Sequence, residues 1–154
     1  MKNRPLFTEQ LAHAWTSQDS MLCVGLDPDP KQFPASIKGK GGAILAMNHI
    51  GYLDFALIGT AALPSGRLVR FMAKKEIFDN KLAGPLMRGM HHISVNRANG
   101  SASFVAALRA LRAGEIIGIF PEATISKSFE IKELKSGVIR LAMGAGVPVV
   151  PTIV

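Results

Sequence analysis

The sequence predicts an α/β domain with a mostly parallel central sheet flanked by helices. From residue 43 onward, short apolar runs of strand length alternate with helical segments. Hydrophobic residues make up 48% of the chain and charged residues 19%, so a buried core is expected. The length of 154 residues suits one domain of ordinary size. Strands that alternate with helices are joined by crossovers, and this connection makes neighbouring strands parallel.

The individual elements follow from apolar runs and from the residues that bound them. Five apolar runs bounded by turn residues predict strands at residues 43–47, 69–73, 92–95, 116–120 and 147–154. The segments between them predict helices at residues 54–62, 81–89, 101–113 and 136–145, of which 81–89 is a short helix or an ordered turn. Gly114 and Gly146 follow the last two helices, as is typical of helix C-termini.

Residues 1–40 precede this alternation and differ from it. They predict a helix at residues 8–17, a strand at 21–26 and a turn at residues 27–30, followed by a loop-like stretch that ends in a Lys- and Gly-rich turn at 38–42. We expect the domain to occupy residues 41–154 and the first 40 residues not to form an independent domain. The last apolar strand reaches the final residue, and an open strand edge is a liability. We therefore expect the sheet to be truncated at that end.

Charge and composition limit the classes of partner and site. The net charge of +7 suits an anionic partner such as nucleic acid, an acidic membrane surface or a phosphorylated substrate. Cys23 is the only cysteine, so no internal disulfide forms. No apolar run is long enough to span a bilayer, so membrane contact is expected at the surface only. His91 and His92 lack a third ligand at a persuasive spacing, and no metal site is predicted.

Polar residues follow the first predicted strand of the alternation, where open α/β sheets bind ligands. His49 lies in the turn after residues 43–47, and Asp54 lies in the first turn of the next helix. A carboxylate bonded to one imidazole nitrogen leaves the other nitrogen able to remove a proton from a hydroxyl. The spacing is also compatible with a capping Asp beside an unrelated His, and by itself it favours the cap.

Three further strand or helix boundaries carry polar residues. Glu122 and Thr124 follow the strand at residues 116–120, Arg97 follows the strand at 92–95, and Lys135 precedes the last helix. A guanidinium can bind a phosphate through two parallel hydrogen bonds, and a helix N-terminus favours anions. For each of these residues taken alone, a solvated surface position is the more common outcome. Because all four groups lie at strand exits of one domain, together they predict a single site.

These residues, in this order, resemble the glycerolipid acyltransferase family over about residues 42–154. The family's four sequence blocks are matched, in chain order, by Asn48, His49 and Asp54; by Lys74, Glu76 and Arg97; by Phe120, Pro121, Glu122, Thr124 and Ser126; and by Val147, Pro148 and Pro151. One block would be a weak signal, whereas four blocks at suitable spacing are specific.

The resemblance implies transfer of a fatty acyl group from acyl-CoA or acyl-carrier protein to a hydroxyl of a lysophospholipid. In this interpretation His49 is the general base and Asp54 orients it. Glu122 binds the glycerol hydroxyl of the acceptor, Arg97 and Lys135 bind its phosphate, and Thr124 and Lys74 are further substrate-binding residues. No cofactor, metal or nucleic acid is implied. The expected location is the cytoplasmic face of the cell membrane, in peripheral contact with its anionic surface.

Two positions depart from the family's third block. Ala123 and Ile125 replace its usual Gly and Arg. The missing Arg helps to hold the acceptor phosphate in the family, so the departure at Ile125 leaves the acceptor's head group open. Backbone N–H groups near Gly51 or Ala123 are candidates for stabilising the oxyanion of the reaction.

The first 40 residues resemble a different family, the orotidine 5′-phosphate decarboxylases. The matching residues are Phe7 to Leu11 and Leu22 to Pro30, which form the first helix and strand of a (β/α)8 barrel in that family. Such a barrel needs about 250 residues, and no Lys/Asp cluster like that family's occurs in the remainder. Two alternatives to acyl transfer remain at this point: a decarboxylase fragment, and a truncated module that binds anionic lipid without catalysis.

Overall fold

The computed structural model describes residues 22–23, 39–51, 53–125 and 133–153. The helix predicted at residues 8–17, most of the strand predicted at 21–26, and Ser126 lie outside these residues. Among the described residues, no helix is both long enough and apolar enough to cross a membrane.

The described residues form one six-stranded sheet in which every pair of neighbouring strands is parallel. The strands are β1 (Leu22–Cys23), β2 (Ala43–Met47), β3 (Val69–Lys74), β4 (Ile93–Val95), β5 (Ile116–Ile119) and β6 (Val149–Ile153). Their spatial order is β1-β6-β2-β5-β3-β4. The predicted α/β class with a parallel sheet is therefore confirmed, and for β2 to β6 the predicted strand ends differ from the observed ends by at most two residues.

Five α-helices connect the strands in the described part of the chain. They are α1 (Asp54–Ala61), α2 (Lys75–Asp79), α3 (Ala83–Gly89), α4 (Ser101–Arg112) and α5 (Gly137–Ala145), and a short 3₁₀ helix, Leu63–Ser65, follows α1. The prediction missed α2, because a five-residue helix is too short to show an apolar periodicity. Asn80 separates α2 from α3 and accepts hydrogen bonds from the Leu82 and Ala83 N–H groups through its side-chain oxygen.

The core lies on both faces of the sheet, with β2 at its centre. All five residues of β2 are buried, as expected of a parallel strand covered on both sides. On one face Leu45 and Met47 pack with Ile58 of α1. On the other face Ile44 packs in a cluster with residues of α4 and α5, including Leu111 and Leu141. The sheet is thus the middle layer of three.

The direction of the chain across the sheet reverses at β4, the strand at one edge. The connections from β2 to β3 and from β3 to β4 run one way, and those from β4 to β5 and from β5 to β6 run the other way. As a result α1, which follows β2, and α5, which follows β5, cover opposite faces. The carboxyl ends of β2 and β5 therefore flank a crevice of the kind in which open α/β sheets bind ligands.

Gly118 of β5 lets an aromatic ring lie across the strand below that crevice. A Cβ atom at Gly118 would lie 2.6 Å from ring carbons of Phe71 on the neighbouring strand β3. No real Cβ atom tolerates that distance, so the glycine is required by the position of the Phe71 ring. Phe71 in turn packs against Phe120, the residue that follows β5.

Candidate active site

The loop that leaves β2 brings His49 and Asp54 together. His49 Nδ1 lies 2.9 Å from Asp54 Oδ2. Asp54 is the first residue of α1 and is only 4% exposed, whereas the His49 side chain is partly exposed. With Nδ1 bonded to the carboxylate, Nε2 is the ring nitrogen that can accept a proton.

The Asp54 carboxylate also organises the loop before the helix. Its Oδ2 atom accepts the backbone N–H groups of Ile50 and Gly51, each at 2.8 Å. The residue at the N-cap of α1 is Leu53, and no side chain caps the helix itself. The interpretation of Asp54 as a helix cap beside an unrelated His is therefore wrong, because its carboxylate fixes the turn before the helix and contacts His49.

Glu122 joins the exit of β5 to the same loop. The His49 backbone N–H donates to Glu122 Oε1 at 3.1 Å, and the Glu122 residue is 3% exposed. A turn positions it: Pro121 follows Phe120, and the Ala123 N–H donates to the Phe120 carbonyl at 3.0 Å, with proline at the second turn position where its fixed φ suits the turn. We expected Glu122 to bind a substrate hydroxyl, whereas one of its oxygens contacts the main chain of His49.

Phe120 supports the His49 ring from one side. The two rings are stacked, with centroids 4.0 Å apart and planes at 24°. Phe71 lies behind Phe120, with ring centroids 6.3 Å apart. Sequence reasoning used Phe120 only as a motif residue and missed this contact. The sequence carried one signal for this contact, an aromatic residue at the end of the strand predicted at residues 116–120. That this strand lies beside β2, which leads to His49, is seen only in the structure.

Arg97 and Lys135 reach the same turn after β5 from two directions. Arg97 Nη2 donates to the Ala123 carbonyl at 2.6 Å, which brings the loop after β4 across β3. The Lys135 backbone N–H donates to the Pro121 carbonyl at 2.9 Å. The Lys135 side chain is exposed and contacts Glu133, with Nζ 3.3 Å from Oε2. Because a guanidinium carries five N–H donors, the bond to Ala123 is compatible with phosphate binding by Arg97.

Lys74 and Thr124 lie at the same edge of the sheet but are more peripheral. Lys74 ends β3 and forms an exposed ion pair with Glu76, with Nζ 3.1 Å from Oε1. The pKa of Glu76 is lowered, first by a hydrogen bond with its own backbone, then by Lys74, and also by the charge of Arg97. Lys74 therefore contacts a carboxylate on which the charge of Arg97 also acts. Thr124 is exposed on the turn after β5.

The N–H groups of Gly51 and Ala123, near which we expect an oxyanion site, are both used within the protein. The Gly51 N–H donates to Asp54 Oδ2, and the Ala123 N–H donates to the Phe120 carbonyl. Each of these two donors closes a turn in the conformation observed, so an oxyanion site formed by other N–H groups near them stays a prediction. Ala123 has a φ of +55°, a left-handed conformation that suits the glycine of the family pattern better than alanine.

The two adjacent histidines have different environments. His91 is exposed, with a φ of +57°. His92 is buried, and its Nδ1 accepts the backbone N–H of Phe71 at 3.1 Å. This contact directly precedes the first pair of residues between β3 and β4, Met72 and Ile93. Its Nε2 has no hydrogen-bond partner among the described residues. Burial, followed by the charge of Arg70, lowers the pKa of His92, so the ring is neutral.

Comparison with known proteins identifies two regions of similarity. The model of the acyltransferase family matches residues 28–154. The 1-acyl-sn-glycerol-3-phosphate acyltransferase of Bacillus subtilis is 34% identical over 117 residues, which are 75% of this chain and 57% of that protein. The orotidine 5′-phosphate decarboxylase of Cupriavidus necator is 65% identical over 40 residues, which are 26% of this chain and 15% of that protein.

The fold also matches a solved structure. The crystal structure of the 1-acyl-sn-glycerophosphate (LPA) acyltransferase PlsC from Thermotoga maritima superposes with a TM-score of 0.56 at 22% sequence identity, over 77% of this chain and 54% of that chain. The chain therefore spans little more than half the length of the acyltransferases that it matches here.

Proposed function

The chain belongs to the acyltransferase family, and on that premise we propose that it transfers a fatty acyl group from a thioester donor to a hydroxyl of a lysophospholipid. The donor is acyl-CoA or acyl-carrier protein, and the acceptor is of the 1-acylglycerol-3-phosphate type. The observation that supports this most directly is the contact of His49 with Asp54 at the crevice between β2 and β5.

The reaction needs a group that removes the proton of the acceptor hydroxyl. In the proposed mechanism His49 Nε2 takes this proton while the hydroxyl oxygen attacks the thioester carbonyl. Collapse of the tetrahedral intermediate breaks the carbon–sulfur bond, and the proton passes to the sulfur to release a free thiol. Asp54 fixes the imidazole through Nδ1 and stabilises the positive charge that His49 carries in the transition state. The hydroxyl attacks directly, so no acyl-enzyme forms.

Glu122 and Phe120 keep His49 in the geometry that this step requires. Glu122 holds the His49 backbone N–H, and Phe120 lies against one face of the ring. Restraints on both the main chain and the ring reduce the reorientation needed at the moment of proton transfer. The burial of Glu122 favours this positioning role over direct contact with the acceptor hydroxyl.

The acceptor phosphate has cationic partners at the same edge of the sheet. We assign it to Arg97, with Lys135 and Lys74 as additional charges, because Arg97 reaches the turn after β5 that also carries Glu122. Ile125 replaces a family arginine and removes one cation from this group. We therefore expect a weaker preference for a phosphate monoester than in relatives that keep the arginine. The proposed location is the cytoplasmic face of the cell membrane, where the acceptor is available.

The test is transfer of a labelled acyl group from acyl-CoA or acyl-carrier protein to 1-acylglycerol-3-phosphate by the intact chain. His49→Ala removes the base, and a loss of about 10²–10⁴-fold in kcat is expected. Asp54→Asn keeps an oxygen that can accept the Ile50 and Gly51 N–H groups but removes the negative charge, and it should lose activity with the loop intact. An active chain in which both variants keep the wild-type rate would show that the assigned base is wrong.

The two alternatives have less support. The decarboxylase similarity covers 15% of that relative, far less than a barrel requires, and an assay with orotidine monophosphate should show no turnover. A non-catalytic module that binds anionic lipid would bind vesicles without transferring any acyl group. The organised contacts of His49 with Asp54 and Phe120 favour the enzyme.

A further inference from the structure

Exposed apolar side chains are unevenly distributed over the two faces of the sheet. Of the large apolar residues exposed in the described part of the chain, eight lie between Leu53 and Met90 and three lie in α4 and α5. The eight belong to the connections from β2 to β3 and from β3 to β4, which cross the sheet in one direction. Because such crossovers are right-handed, α1, α2 and α3 all lie on one face, opposite α4 and α5.

Four leucines on this face define what we call the outer leucine surface: Leu53, Leu57, Leu82 and Leu86. Leu82, the N-cap residue of α3, is 89% exposed, and Leu86 within the helix is 61% exposed. Because Leu82 has helical dihedral angles, the spacing of four residues places both on one side of α3. Leu53 and Leu57 have the same spacing at the start of α1 and are also exposed. Single exposed leucines are ordinary, whereas a group of them on one face indicates an interaction site.

The charges around the outer leucine surface are positive. Lys75 pairs with Asp79 and Lys74 with Glu76, so these four charges cancel. Lys81, next to Leu82, and Arg88, two residues after Leu86, are exposed, and neither forms a salt bridge with any described carboxylate. Arg88 Nη1 donates to the Phe78 carbonyl at 2.7 Å, which holds the side chain at the α2–α3 junction and leaves its charge uncompensated. The surface thus combines exposed leucines with uncompensated cations, which is the chemistry of segments that bind anionic membranes.

The position of the surface relative to the candidate active site supports the same partner. Leu53 directly precedes Asp54, and the crossover that contains α3 starts from the edge of the sheet at which His49 lies. A lysophospholipid keeps its acyl chain in the bilayer and presents its hydroxyl at the interface. A surface that lies on the bilayer and borders His49 would let the hydroxyl reach the base without full extraction of the lipid.

We propose that the outer leucine surface, with Lys81 and Arg88, docks the protein on an anionic lipid bilayer and places the His49 loop at the interface. The orientation toward the active site rests on the proposed function, whereas the docking itself does not. The leucines enter the boundary between head groups and acyl chains, and the cations lie near the lipid phosphates.

The test measures binding of the full chain to sedimented vesicles of phosphatidylcholine with phosphatidylglycerol, and to vesicles of phosphatidylcholine alone. The wild type should bind the anionic vesicles, and less so as salt increases. The double variant Leu82→Ser/Leu86→Ser should lower the partition coefficient about tenfold or more. Lys81→Gln should lower binding to anionic vesicles about fivefold and leave binding to phosphatidylcholine unchanged.

A matched control lies on the opposite face of the sheet. Ile139 and Met143 of α5 are 46% and 78% exposed and are also four residues apart, and Ile139→Ser/Met143→Ser should bind as the wild type does. Equal losses in the two double variants, or no binding by the wild type, would overturn the proposal. So would a dimer that dissociates in Leu82→Ser/Leu86→Ser, since the surface would then bind a second copy.

A second measurement separates this proposal from the proposed function. With a short-chain lysophospholipid dispersed as monomers, Leu82→Ser/Leu86→Ser should keep the wild-type rate of acyl transfer, because the substrate no longer has to be reached in a bilayer. His49→Ala should bind vesicles normally. If the wild type binds vesicles but transfers no acyl group, the proposed function is wrong and the docking surface is retained. If it transfers acyl groups but does not bind vesicles, the docking surface is wrong and the proposed function is retained.

Discussion

The ring of Phe120 stacks on the imidazole of His49, with ring centroids 4.0 Å apart and ring planes at 24°. The contact joins the ends of two adjacent parallel strands, β5 and β2. His49 is therefore restrained in three ways: at Nδ1 by Asp54, at its backbone N–H by Glu122, and on a ring face by Phe120.

Replacement of Phe120 by leucine should lower kcat more than it changes the KM for the acceptor. Leucine fills part of the space but cannot form a flat stack, so the imidazole gains freedom to turn away from the acceptor hydroxyl. Small displacements of a catalytic group cost about 10- to 100-fold in rate. Steady-state kinetics would measure the effect, with Phe120→Tyr as the control that keeps the ring. Equal activity of the leucine and tyrosine variants would mean that the stack plays no part.

Substitutions of Glu122 should separate its positioning role from acceptor binding. Glu122→Gln keeps an oxygen for the His49 N–H, so stability and the acceptor KM should change little. Glu122→Ala leaves that part-buried N–H without its acceptor, which costs about 1–3 kcal/mol in the free energy of unfolding. Urea unfolding and kinetics of both variants would test this. A large rise in the acceptor KM in Glu122→Gln alone would instead indicate that the carboxylate contacts the substrate.

Ala123→Gly should increase the stability of the protein. Ala123 adopts a φ of +55°, and a left-handed conformation costs a non-glycine residue about 1–2 kcal/mol. Glycine removes this strain but loses more entropy on folding, so a net gain of up to about 1 kcal/mol in the free energy of unfolding is expected. Ala102→Gly in the exposed helical position of α4 is the control and should destabilise by about 1 kcal/mol. Losses of similar size in both variants would contradict the prediction.

The buried His92 should make stability depend on pH. Burial lowers the pKa of His92 in the folded state, so the unfolded chain binds a proton more readily. Its contribution to the free energy of unfolding is constant above the unfolded-state pKa of about 6.5. That contribution is lost as the pH falls from there through the lowered folded pKa.

Urea unfolding across this pH range would measure the effect of His92. His92→Asn removes the titrating ring and offers an oxygen to the Phe71 N–H, so its pH dependence should be weaker than that of the wild type. His91→Asn, at an exposed position whose left-handed backbone asparagine tolerates, is the control and should leave the profile unchanged. If the free energy of unfolding of His92→Asn changes with pH as steeply as that of the wild type, His92 is not the source of the pH dependence.

The sequence predicted most of the sheet because its central strands are apolar throughout. Residues 43–47 and 116–118 are buried in a parallel sheet that is covered on both faces, and such strands read as uninterrupted apolar runs. The bounds of the edge strand β4 were harder to predict from the sequence. His92 was placed inside β4, yet it precedes the strand and binds the Phe71 N–H through its side chain. Helix α2 gave no periodic signal because of its length.

The sequence by itself determined the family and the parallel α/β class, because these depend on local order: apolar runs and the spacing of motifs. It predicted the pair formed by His49 and Asp54 only through the family resemblance, and the structure shows that the two side chains are in contact. Only the tertiary structure decided that Glu122 contacts the His49 main chain from 73 positions away, that Phe120 covers its ring, and that the outer leucine surface borders the same loop. The physical reason is strand order. The chain passes through β3 and β4 before β5 inserts beside β2, and no local pattern reports which strand ends become neighbours.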